Sequence, residues 1–216
     1  MLIVEEVFLL LTKDNGTADR AWGYRRHGLV AAALVDLAQL GVIDIAEGRD
    51  PKVSVVKAGV TGHASLDVIL PALDGMSGKK VSRLVASSKL NPATAVGHSL
   101  AEQGIVTEES RMFGGPKFVT VNPAPEIAVR ERLGQVLAGT REPTIADAAE
   151  LGILKALNVA YGLLGPARGD LDRRGLSRRI ESVSRDVPSV EALKRMVDSI
   201  TASTVTVAVA AGSSSS

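Results

Sequence analysis

Leu2–Ile45 reads LIVEEVFLLLTKDNGTADRAWGYRRHGLVAAALVDLAQLGVIDI, and the spacing of its apolar residues decides what kind of fold the chain builds. The acidic pair Glu5-Glu6 sits in an apolar run that ends at Leu11. That run has no clear period, so a short helix or a strand fits it. Asp14-Asn15-Gly16 is a polar turn. From Gly28 to Leu40 the pattern is plainer. Leu29, Ala33, Leu37 and Leu40 share one stripe, and Val30 and Leu34 widen it. The spacing predicts a helix with most of its circumference buried, and Gly41 is placed to stop it.

Working outward, Val42–Ile45 and Lys52–Val56 alternate or are β-branched around the turn cluster Glu47–Pro51, which predicts a small β-hairpin. Short amphipathic helices are expected over Ser65–Leu73 and Lys80–Ser88. Asn91-Pro92 marks another helix start, with Asn as cap and Pro in the first turn. That helix continues through Val96 and Leu100 to Gly104. Ile105–Thr107 and Lys117–Val121 predict a second hairpin. The two "helix, Gly, hairpin" units form a weak internal echo. Beyond Pro125 every stripe is helical: Val129, Leu133, Val136 and Leu137, then Leu151, Leu154, Leu157 and Tyr161 up to Gly165-Pro166, then Leu176, Ile180 and Val183. Thr144 and Asp147 fit a capping box. Pro188-Ser189 starts a last helix through Ile200, and its β-branched end, Thr204–Val207, would also suit a strand. The fold class read from these patterns is mainly α: a single-domain helical bundle ringed by amphipathic helices, with one or two small β-hairpins. Residues 1–211 form the domain and 212–216 a flexible tail.

Composition narrows the function. Only 3% of the residues are aromatic, so Leu, Val, Ala and Ile must make the core, and a net charge of +1 confines any affinity for a polyanion to a local patch. With no cysteine there are no disulfides or thiolate metal sites, which fits a cytoplasmic setting. Met1 leads into an acidic apolar run without the basic region of a signal peptide. The last apolar stretch, Ile200–Ala211, is shorter than the roughly 20 residues a membrane span needs.

No site for covalent chemistry assembles. Gly75–Lys80 is glycine-rich and basic but lacks the phosphate-loop spacing. Ser99, beside His98, lacks the second glycine and the strand–turn–helix context of a nucleophile elbow. His27, His63 and His98 have no ligand-spaced partners, so no metal and no cofactor are expected. Glu5-Glu6 and Glu108-Glu109 read as solvated or N-terminal charges. Arg173, Arg174, Arg178 and Arg179 read either as phosphate contacts or, favoured because Asp170, Asp172 and Glu181 interleave, as a solvated face laced with ion pairs. The sharpest cluster is Trp22, the only tryptophan, with Arg25 and Arg26. It reads either as a ring capping the core beside two solvated cations, or as one solvent-facing patch for an anionic group.

The ordered blocks LIVEEVFLLLTKDNG, Trp22 through LVAAALVDLAQLGVIDI, Val60-Thr61-Gly62 with Leu66-Asp67, and SLAEQGIVTEES with its hairpin and VRERL resemble the Golgi phosphoprotein 3 family, in particular its short bacterial relatives. The resemblance implies a helical core ringed by amphipathic helices with a protruding hairpin and a buried last helix. It also implies a protein that is not an enzyme: a peripheral membrane adaptor that binds phosphatidylinositol 4-phosphate or another anionic phospholipid head group, a membrane-enzyme client and a second copy of itself. Trp22 falls on the family's head-group tryptophan. Its arginines fall near Val30, Leu90 and Ala93, so the family's pocket is incomplete in this chain; Arg25 and Arg26, which lie earlier, substitute only by a different reach, and Lys89 is the one cation adjacent to the second pair. Phe113 and Phe118 lie on the hairpin that resembles the self-association element. The alternative from the residues is a winged-helix-like nucleic-acid regulator built on LAEQGIVTEESRMFGGPKFVTV. The absence of Lys and Arg from Asn91 to Glu102 argues against nucleic acid.

Overall fold

A computed structural model describes residues 1–17, 22–48, 50–57, 59–110, 115–187 and 197–204, with the side chains of Trp22, Gly23 and Tyr24 outside the description. The first apolar run is a helix, α1 (Ile3–Leu10), and every one of its residues is buried. A helix apolar all round has no face for water and goes to the centre of the molecule. There it packs on α2 (Trp22–Gln39), which is buried without interruption from His27 to Leu37. α2 starts six residues before Gly28, because Gly28 is an interior position: a Cβ there would lie 2.9 Å from Leu157 and 3.1 Å from Leu11.

Both hairpins form, and a third strand joins the first. β1 (Ile43–Ile45) pairs with β2 (Lys52–Val55), and β2 pairs with β3 (Lys79–Lys80), antiparallel throughout. Between them, Pro71 divides the expected helix into α3 (Ala64–Asp67) and α4 (Leu70–Asp74). α5 (Val81–Ala86) follows β3. In α6 (Ala93–Glu102) the Asn91 side chain accepts the Ala93 N–H at 3.2 Å, as its capping role required. β4 (Val106–Glu109) and β5 (Lys117–Thr120) make the second sheet.

The internal echo is real at the level of hydrogen bonds. Gly41 and Gly104 end their helices with φ of 64° and 70°. After each, the next residue donates to the fifth residue back (Val42 to Leu37, Ile105 to Leu100) and its carbonyl then accepts two N–H groups from the end of the hairpin.

The remainder is helical: α7 (Ala124–Ala138), α8 (Ile145–Ala156), α9 (Ala160–Leu164), a 3-10 turn over Gly165–Arg168, and α10 (Arg173–Asp186). Residues 197–204 are helical too, packing Thr201 against Gly152. α8 lies against α1 and α2, so α1, α2 and α8 form the centre, with α5, α6, α7 and α10 around them. The expected start of the last helix at Pro188-Ser189, the stretch Val205–Val207 and the tail 212–216 lie outside the described residues.

Glu5 and Glu6 are not solvated: they are 5% and 8% exposed. Burying a carboxylate demands partners, and α6, α7 and α8 supply most of them. Glu5 accepts from Ser99 Oγ at 2.7 Å, from Gln103 Nε2 at 3.3 Å, and from the Leu2 N–H at 3.1 Å. Glu6 takes Arg132 of α7 at 2.6 Å, and the same guanidinium meets Glu150 and Asp147 of α8, each at 2.8 Å. Both α8 carboxylates are fully buried. Asp147 also closes the expected capping box with Thr144. Burial pushes Glu150 well above the ordinary carboxyl range, and Glu6 beside it adds to this. Burial works the same way on Glu6, but hydrogen bonds from Glu150 and Arg132 outweigh it and hold Glu6 low.

Asp36, in the middle of α2, turns its carboxylate onto the start of α1 and accepts the Ile3 and Val4 N–H groups at 3.0 and 2.9 Å. Those are free donors of a helix N-terminus. Burial is the largest influence on this group and raises its pKa to about 7, Glu5 and Glu6 pushing the same way and the two N–H bonds opposing.

Two outcomes follow for stability. Arg132→Ala leaves three buried carboxylates without their cation and lowers the unfolding free energy in urea by about 3–5 kcal/mol. For Asp36 the folded pKa lies above the unfolded value, so its contribution is complete below about pH 4 and is lost as pH rises toward 7, with a slope of at most about 1.4 kcal/mol per pH unit. Asp36→Asn removes that proton uptake. The stability gap between wild type and variant must therefore shift in the variant's favour from pH 4 to 7, and a pH-independent gap contradicts the assignment.

Candidate functional site

The cations expected to face an anion sit near the N-terminal end of α2, and the structure turns them to different neighbours. Adjacent residues on a helix point about 100° apart. Arg25 lies over the Phe8 ring of α1, 4.2 Å from its centroid. Its Nε is buried without a hydrogen-bond partner, and desolvation draws its pKa down to about 10. Arg26 points the other way, to the C-terminal end of α5. There Nη1 donates to the carbonyls of Ala86 at 3.2 Å and of Val85 and Ser87, while Nη2 lies 3.0 Å from His27 Nε2. A cation at the free carbonyls of a helix end is favoured by hydrogen bonding and by the helix dipole. The expected single patch holding both guanidinium groups is therefore not formed. Arg25 covers the core, and Arg26 clamps α2 to α5.

The clamp brings in the third cation. Lys89 is exposed, and its N–H donates to Ser87 Oγ at 3.3 Å, in the same turn whose carbonyl Arg26 holds. Arg26 and Lys89, 63 positions apart in sequence, thus share one corner of the molecule. Trp22 opens the same helix that carries Arg26.

A stronger feature runs into this corner, and no motif marks it in the sequence. Residues 75–101 contain Lys79, Lys80, Arg83 and Lys89 and not one Asp or Glu. The fold makes this run β3, α5 and the following turn. Val81, Leu84 and Val85 are buried against the core, which leaves Lys79, Lys80, Arg83 and Lys89 exposed. Lys80 and Arg83 are three residues apart, neighbours on a helix surface. Lys52 adds a sixth cation, directly opposite Lys80 across the β2–β3 ladder. Like charges opposite one another are unfavourable. Asp50 partly offsets them at 4.0 Å from Lys80 Nζ, but its carboxylate is mostly taken up by the Ser82 N–H and hydroxyl at 3.1 and 2.8 Å and by Ser203 at 3.2 Å. The readable signal is an absence, 27 residues without a carboxylate, rather than a motif.

The glycine-rich loop at its start is not a phosphate cradle. The Gly78 N–H donates to Val53, Ser77 to Asp74 and Lys79 to Met76, so those donors are used inside the protein. Ser99 is tied to Glu5, and His98 lies 3.2 Å from Glu108. In the hairpin, Phe118 is 5% exposed. It packs edge-on to Phe8 at 6.1 Å and presses on Gly97 so closely that a Cβ there would fall 2.2 Å from its ring. Phe118 is thus a core residue rather than an apolar face offered to a second copy, and Phe113 lies outside the described residues.

Among the described residues no helix is long and apolar enough to cross a membrane. No curated protein matches the chain closely enough to count as a relative. The comparison with protein families matches Golgi phosphoprotein 3 (GPP34) over residues 3–200, from the first residue of α1 to the helical segment that closes on α8. The chain belongs to the Golgi phosphoprotein 3 family.

Proposed function

We propose that this chain is a peripheral membrane adaptor that docks on anionic phospholipid head groups, of the phosphatidylinositol 4-phosphate kind, through the surface of α5 and the neighbouring corner where Lys89 lies beside α2, the helix that Trp22 opens and Arg26 clamps to α5. The observation that carries this reading is the carboxylate-free run 75–101, strung along α5 from Lys79 and Lys80 to Lys89. Each Lys or Arg near an anionic leaflet contributes about 1 kcal/mol. The five exposed cations Lys52, Lys79, Lys80, Arg83 and Lys89 amount to roughly 5 kcal/mol, a partition in the weak, reversible range near millimolar. A surface of this kind visits a membrane rather than anchoring in it. Tryptophan is a side chain that prefers the membrane interface, and membership of the family supports a head-group role for Trp22. On the same reading the protein is a binding module that presents a membrane-enzyme client to the bilayer, and it performs no catalysis.

Nucleic acid fits the geometry less well. The helix of the winged-helix-like unit, α6, carries no Lys or Arg and buries Val96 and Leu100, and the wing strand β4 exposes Glu108 and Glu109. Those carboxylates would face the phosphates that a wing contacts.

Flotation with vesicles tests the reading. Binding is expected to vesicles containing phosphatidylinositol 4-phosphate or phosphatidylserine, not to phosphatidylcholine alone, and to weaken with salt. Neutralising Lys79, Lys80 and Arg83 together to Gln should lower the partition on the order of 100-fold, and Trp22→Ala and Lys89→Ala should each weaken it. Equal recovery with zwitterionic and anionic vesicles at low salt rejects the proposal.

A further inference from the structure

A second group of cations, Lys155, Arg168 and Arg173, lies on α8, the 3-10 turn and α10, and the lipid-facing reading does not use it. Tyr161 of α9 is half-buried, and two guanidinium groups stack on its ring: Arg168 at 4.1 Å and Arg173 at 4.9 Å from the centroid. The two cations therefore lie within roughly a Debye length of each other at physiological salt, about 8–10 Å. Neither has an ion-pair partner among the described residues. Arg168 is turned inward, with Nη1 on the carbonyls of Gly169 and Leu171. Arg173 makes no side-chain hydrogen bond at all among the described residues, so the Tyr161 ring is what holds it in place.

A cavity of 240 Å³ opens beside this stack, lined by Lys155, Asn158, Tyr161, Arg173 and Ser177 over an apolar floor that includes Ile180. Lys155 is already satisfied by Glu181 at 2.6 Å, and Ser177 also bonds to Glu181. The amide of Asn158, the hydroxyl of Tyr161 and the guanidinium of Arg173 have no hydrogen-bond or ion-pair partner among the described residues. All three are hydrogen-bond donors, and one is charged. Asn158 is the only described non-glycine residue with positive φ, 58°, so the turn that places it is a specific one. The end of α10 plays no part, since Asp172 already accepts the Gly175 N–H at 2.6 Å.

We infer that the Tyr161–Arg173 cavity is a binding site for the phosphate group of a small phosphate ester. At about 30 Å³ per water the cavity has room for about eight waters, which suits a phosphate and a short organic stub and is smaller than a drug-sized pocket. A phosphate carries a charge of about −1.5 to −2 and three acceptor oxygens, enough to meet the Arg173 guanidinium, the Tyr161 hydroxyl and the Asn158 amide together, where a carboxylate offers two oxygens. The phosphate is either free, as in glycerol 3-phosphate, or borne by a lipid head group.

An amide NMR titration of the full chain with inorganic phosphate and with glycerol 3-phosphate tests this, against sodium chloride at matched ionic strength. Saturable shifts at residues 155–161 and 173–177 are expected. Arg173→Gln should weaken them at least about tenfold while leaving the urea midpoint unchanged. Lys89→Ala should leave them as in wild type, which separates this site from the lipid-facing corner. Shifts that do not saturate, that chloride reproduces, or that Arg173→Gln retains overturn the inference. Vesicles containing phosphatidic acid then identify the source: reduced capture of Arg173→Gln assigns a lipid phosphate, and unchanged capture with lost glycerol 3-phosphate affinity assigns a free one.

Discussion

A helix with no exposed face cannot leave its polar groups to water, and α1 imposes that condition on the whole molecule. Its first-turn N–H groups and its two glutamates are all interior. Each must be met by the protein or the burial of six apolar residues would be offset by desolvation. Asp36 of α2 meets the N–H groups, Ser99 and Gln103 meet Glu5, and Arg132, itself held by Asp147 and Glu150 of α8, meets Glu6. The polar contacts of one short helix thereby fix the positions of four others. Because they are directional, they set the register of these helices in a way that an interior of Leu, Val and Ala does not.

The same logic sorts the cations. Arginine, with a planar fork of donors, is spent on carbonyls and carboxylates inside the fold. Arg26 closes the end of α5, Arg179 the end of α7 through Val136 and Leu137, Arg130 holds Leu163, and Arg132 the carboxylate cluster. The lysines at 52, 79, 80 and 89 stay outside, where a compact charge on a flexible stem keeps its hydration. What remains for a partner is therefore largely the lysine-rich surface of α5, with Arg83, together with Arg173 on its tyrosine. A basic surface with so few carboxylates acts at a distance and yields to salt, whereas a lone guanidinium held over a ring acts only on contact.

Most elements were legible because they rest on local rules. Thr144 and Asp147 form the capping box that their spacing announces, Asn91 caps α6, and Gly41 and Gly104 end helices by adopting the backbone conformation that other residues avoid. The candidate site was legible only in part. Arg25 and Arg26 are adjacent in sequence, yet their surroundings come from α1 and α5. Nothing local tells that Arg25 finds Phe8 while Arg26 finds carbonyls some 60 positions away. Glu5 and Glu6 were misread for the same reason, since their partners are 94 and 126 positions distant.

By itself the sequence determined the alternation of helix and hairpin, the faces that enter the core and the places where helices stop, because periodicity, caps and turn glycines act over a few residues. It also carried the ordered blocks by which the family is recognised. The tertiary structure alone decided which charges are interior and which are free. A charged side chain is stabilised by whatever lies within a few ångströms of it, and in a bundle those neighbours come from helices far apart along the chain.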